Sequence, residues 1–119
     1  MLRASAMTTE TEVDIQGVNG NIESASVGIE YGAELMAFAE AVALRDPSDI
    51  TKTREQLLSI AGPAVLVDAA GVAANFQRMV RIADSIGIPI DDMTTELGQS
   101  VRSELELEKF HSAQNTLTP

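Results

Sequence analysis

The 119-residue chain has no cysteine and no tryptophan, one tyrosine, three phenylalanines and a single histidine, His111. Each shortage closes a class of function. Without cysteine there is no disulfide framework, thiolate zinc site, CxxC redox pair or thiol nucleophile. A histidine-based triad would have to rest on His111 alone. Positive charge is scarce too: 8 Lys and Arg stand against 18 Asp and Glu, a formal net charge of −10. That balance opposes docking on nucleic acid or on anionic membranes. No unbroken run of about 18 apolar residues exists, so no membrane-spanning helix is expected. The N-terminus carries Arg3 but no apolar h-region, and no secretory leader is expected. Absent cysteine fits a reducing compartment, and cytoplasm is the simplest expectation.

What the chain does have is small apolar residues. About 45% of it is hydrophobic, and sixteen residues are alanine. Alanine lets helices approach closely but buries little area, and burial stabilises by only ~25 cal/mol per Å². A thin core follows, and a marginal monomer or stabilisation by self-association is expected.

The expected architecture is all-α: a small bundle of about four helices over residues 26–111, with flanks outside it. Residues 1–25 carry Glu10, Glu12, Asp14 and Glu23 against Arg3, with turn-forming Gly17, Asn19, Gly20 and Asn21. They read as a disordered acidic arm. Residues 112–119 read as a flexible tail. Tyr31, Leu35, Phe38 and Val42 share one helical face, giving a helix over about 27–45 that Asp46-Pro47 closes. A second helix over about 50–61 takes its cap from Asp49 or Thr51. Gly62 ends it and Pro63 opens a third, over about 63–86, stopped by Gly87 and Pro89. Val65, Ala69, Val72, Phe76, Met79, Val80, Ala83 and Ile86 line one face of this third helix. Its first half is apolar all round and is expected to be buried; its second half carries Gln77, Arg78, Arg81, Asp84 and Ser85 opposite the apolar face. Leu97, Val101 and Leu105 suggest a last helix over about 93–110.

Candidate chemistry is sparse. Gln77, Arg81 and Asp84 form a polar stripe at i, i+4 and i+3 spacings. The stripe reads first as a structural or interface ion pair, and alternatively as an anion clamp centred on Arg81. Asp68 lies near the edge of the apolar face and is a candidate buried carboxylate. Asp91-Asp92 after Pro89 reads as the acidic start of a helix, since the alternating ligands and central glycine of a calcium loop are missing. His111 reads as a solvated tail residue, and Gly28-x-x-x-Gly32 as a place of close helix contact. No phosphate-cradling glycine loop and no GxSxG is present. No catalytic residue, metal or cofactor is assigned.

The stretch YGAELMAFAEAVALRDPSDITKTREQLLSIAG, followed by GPAVLVDAAGVAANFQRMVRIADSIGIPIDD, resembles the C-terminal half of the alkylhydroperoxidase D-like, or carboxymuconolactone decarboxylase-like, proteins. The likeness runs over about residues 31–92 and rests on Phe38, Asp46-Pro47, Leu57, Gly62, Phe76 and the R-x-A-D stripe at Arg81 to Asp84, followed by Gly87 and Pro89. The resemblance implies a helical fold that assembles into oligomers. The family's redox chemistry uses a CxxC pair with a nearby His and Glu upstream of the matching segment, and this chain has no cysteine. What is implied is therefore a non-peroxidatic module, either a homo-oligomer or bound to a partner protein. The alternatives are a small decarboxylase or lyase using Arg81 with Asp68 or Asp84, and one half of a split enzyme whose partner chain supplies the cysteines.

Overall fold

The computed structural model describes residues 2–89 and 95–117, and among these every regular element is helical. Two compact units divide the chain, Met1–Gln77 and Arg78–Pro119.

In the first unit residues 2–25, expected as a disordered acidic arm, carry helical elements. They form α1 (Leu2–Thr9), a 3₁₀ turn (Ile15–Asn19) and α2 (Ile22–Ala25), and they bury Ala6, Ile15 and Ala25. The polar residues that suggested disorder act as caps. The Asp14 carboxylate accepts from the Gln16 N–H at 3.0 Å, and the Asn21 side chain accepts from the Ser24 N–H at 3.0 Å. The two glycines of the GxxxG pattern are indeed positions of close approach, but to this N-terminal segment. A Cβ on Gly28 would overlap the Glu12 carbonyl oxygen, and one on Gly32 would overlap that of Ala25.

The helix expected over 27–45 starts later, as α3 (Gly32–Leu44), because turns occupy the residues before it. Phe38 and Ala41 are its buried pair. Arg45 takes a left-handed conformation, φ 62°, and ends it. α4 (Pro47–Ile86) follows at once. Its cap is Asp46, three residues ahead of the expected position: the carboxylate accepts from the Ser48 and Asp49 N–H groups at 2.9 and 3.0 Å. Pro47 then sits in the first turn, where a missing N–H costs nothing. Leu57 is the fully buried anchor of this helix, at 0% exposure. Gly62 breaks the helical path with φ 84° and ψ 174°, as the sequence predicts at Gly62-Pro63.

The segment after the break departs from expectation. Val67 and Val72 are exposed, and so is Phe76 at 59%. Partial cover falls on Val65, Leu66, Ala69 and Ala73, while Ala64, Ala70 and Ala74 are exposed. The half of the helix expected to be buried all round is thus largely open. α4 is also long and apolar enough to cross a bilayer: an 18-residue window has a mean hydropathy of 1.8 with 6% of it buried. Counting unbroken runs missed this because Asp68 interrupts the stretch.

In the second unit, α4 continues from Arg78 to Ile86 and ends in a Schellman closure. The Gly87 N–H donates to the Asp84 carbonyl at 3.3 Å and the Ile88 N–H to the Ala83 carbonyl at 3.1 Å. Met79, Val80, Ile82, Ile86 and Ile88 are exposed here. α5 (Glu96–Glu104) is capped by Thr95, whose hydroxyl accepts from the Gly98 N–H at 3.2 Å. The helix expected to run to 110 stops early, since Glu106 adopts φ 51°. A 3₁₀ turn (Leu107–Lys109) follows inside the segment expected to be helix, and a second (His111–Ala113) leads into α6 (Gln114–Leu117), which lies in the segment expected to be a tail. Leu105 and Ala113 are the buried apolar residues of this unit.

Candidate functional site

The polar stripe does not form a clamp. Arg81 and Asp84 are both exposed, and among the described residues no ion pair or side-chain hydrogen bond joins them. Gln77 is partly covered. Asp68, expected as a buried carboxylate, is exposed, because this side of α4 is open. Its charge needs no compensation there. Asp91 and Asp92 lie outside the described residues. Among the described residues no group of three or more His, Asp or Glu is placed to hold a metal ion.

Asp84 does gain neighbours that the sequence did not suggest. A cavity of about 410 Å³ in the second unit is lined by Asp84, Phe110, His111, Ser112 and Asn115. Carboxylate, imidazole and hydroxyl are the residue types of a nucleophilic triad. Here all five lining residues are exposed, and among the described residues no side-chain hydrogen bond links Asp84, His111 and Ser112. A nucleophile needs its base within hydrogen-bond reach, with the base held by a third group. This cavity is an open groove of mixed lining. Sequence reasoning missed it because Asp84 and His111 lie far apart in the chain, and no local spacing marks them.

A second cavity, about 290 Å³, lies in the first unit among Leu2, Val18, Ile29, Leu35 and Met36, with Asp14 at its wall. The Ser24 hydroxyl, and then the Gln16 N–H, hold the Asp14 carboxyl below its usual range. Both donors stabilise the ionised form. Asp14 is thus a charged cap beside an apolar hollow. Tyr31, at the start of α3, has its phenol pushed up by Glu30, first through a hydrogen bond and then through charge repulsion.

The largest chemical feature is not a pocket. Among the described residues the buried apolar set is Ala6, Ile15, Ala25, Phe38, Ala41, Leu57, Leu105 and Ala113, half of it alanine. Many bulky apolar side chains are outside: α4 alone exposes Leu58, Ile60, Val67, Val72, Phe76, Met79, Val80, Ile82 and Ile86. Exposed apolar surface on this scale marks an interaction site. Comparison with family models, with curated proteins and with solved structures gives no match.

Proposed function

We propose that this chain is a cysteine-free, non-peroxidatic helical module that works in the cytoplasm by assembly, through the open apolar side of α4. The carrying observation is the openness of α4 after Gly62: Val67, Val72 and Phe76 are exposed, and nothing in this apolar stretch is fully buried. A helix that spends its bulky residues on solvent is stabilised by whatever covers them. The resemblance to alkylhydroperoxidase D-like proteins supports the same reading, since it implies oligomers, and the missing CxxC removes the thiol chemistry. A decarboxylase or lyase reading is less well supported. Its anion clamp, Arg81, stands on open surface and is not among the residues lining the groove beside Asp84.

The test is a peroxide-reduction assay with a dithiol donor, run on the purified chain. No turnover is expected. Dithiol-dependent turnover above the uncatalysed rate overturns the reading.

A further inference from the structure

We infer that the apolar hollow of the first unit binds a small organic monocation, an ammonium group on an apolar aryl-alkyl body, with Asp14 as its counter-charge. This goes beyond the module reading and does not rest on it.

The hollow is built from short elements that follow one another in the chain. α1 supplies Leu2, the 3₁₀ turn supplies Val18, α2 supplies Ala25, and α3 supplies Leu35 and Met36. Its base is backbone packed on backbone. A Cβ on Gly17 would lie 2.8 Å from the Ala25 Cα, and one on Gly32 would overlap the Ala25 carbonyl oxygen. The elements already touch at the base, so the space above cannot be removed by drawing them together. Leu2, Ile29, Leu35 and Met36 line the hollow and are only partly covered, which leaves apolar surface for a ligand. The volume is about 290 Å³. A cavity of roughly 150 Å³ lined by aliphatic and aromatic side chains takes up benzene. This one has room for a ring with a short arm, at the small end of ordinary ligand pockets.

The sign of the ligand's charge follows from the wall. Among the described residues lining the hollow, Asp14 alone is charged. The groups that hold its carboxylate are the Gln16 N–H, at 3.0 Å, and the Ser24 hydroxyl. Both are neutral, so they fix the carboxylate without neutralising it. A carboxylate has about four acceptor sites, and two donors leave capacity for an ammonium. An acid of the same shape would be opposed by Asp14 and by the net charge of −10 on the whole chain. That net charge also raises the local concentration of cations. A divalent metal ion does not suit the place. Calcium and magnesium take about six or more oxygen ligands, and these walls are mostly apolar.

The experiment titrates the full, isotope-labelled chain with phenethylammonium and follows the amide resonances. Shifts centred on Gly17, Gly32 and Met36 are expected to saturate with a Kd of roughly 0.1–1 mM. Phenethyl alcohol has the same body without the charge and should bind about three- to five-fold more weakly. Hydrocinnamate, the matching acid, should not saturate. Asp14→Asn should weaken the amine to the affinity of the alcohol. Asparagine caps a helix as well as aspartate does, and Asn21 already caps α2, so the fold is retained and circular dichroism checks it. Val18→Trp, at a position 62% exposed on the rim, sets an indole across the mouth and should abolish saturation with Asp14 untouched. Hydrocinnamate binding as tightly as the amine overturns the assignment, and so does an amine affinity unchanged in Asp14→Asn. Amine shifts that never saturate and spread over the acidic residues of the chain mean counter-ion association alone, and overturn it as well. The ligand series uses the unmodified chain, so it decides the matter where a variant fails to fold.

Discussion

Gly62→Ala isolates backbone strain from packing. At φ 84° and ψ 174°, Gly62 lies where residues with a Cβ are rarely found. Nothing lies within 4 Å of the Cβ that alanine would add, so steric overlap with neighbours contributes nothing. The side chain cannot escape by completing the helix. Pro63 disfavours the helical region for the residue before it and offers no N–H. The expected loss is therefore that of one strained residue, about 1–3 kcal/mol. With an unfolding entropy of roughly 2.1 cal/mol/K per residue, a chain this long loses about 4 °C per kcal/mol, or about 4–12 °C in Tm. Thermal unfolding followed at 222 nm measures it. The double variant Gly62→Ala/Pro63→Ala removes both the strain and its cause, so it should gain helical signal and recover the parent Tm. A single variant that melts within a degree of the parent would refute the reasoning, because residue 62 would then occupy an ordinary conformation.

Two further outcomes follow from the same structure. Leu57→Ala empties the most enclosed side chain and should cost about 2–5 kcal/mol in denaturant unfolding, well above any exposed apolar position on α4. The Asp46 carboxyl is held below its usual value of 3.8 by the Ser48 hydroxyl and by the Asp49 and Ser48 N–H groups. Its contribution is present above pH 3.8 and is lost as pH falls through the lower folded-state value. The stability difference between the parent and Asp46→Asn should therefore hold at neutral pH and close only on acidification below that value, as an acid-denaturation series would show.

The sequence announced its helix stops more clearly than its packing. Gly62-Pro63 and Gly87 act through their own backbone preferences, and both end helical segments where expected. All-α character was legible for the same local reason. The cap of α4 was misplaced: Asp49 or Thr51 was expected, and Asp46 serves instead because Pro47 fixes the first turn behind it. In the N-terminal segment Asp14, Asn21 and Gly20 suit turns and disordered chain alike, so their capping roles and the burial of Ile15 and Ala25 were not legible in composition. The periodicity of 63–86 gave the apolar face correctly and its fate incorrectly. Hydrophobic patterning says that a face wants cover and is silent on whether the same chain supplies it. Asp84 and His111 share a groove through long-range placement, which no spacing rule reaches.

The alanine-rich interior has a thermodynamic consequence. The heat-capacity change of unfolding follows the apolar area newly wetted, and for an ordinary domain of this length it is about 1.4–1.8 kcal/mol/K. Half of the buried apolar residues described here are alanines, and much of the bulky apolar surface is wet before unfolding begins. An isolated chain should therefore fall below that figure. Its stability curve should be shallow, changing little between refrigerated and physiological temperature. Covering α4 would restore the missing area, so curvature in the stability curve becomes a calorimetric measure of how much of this helix is covered.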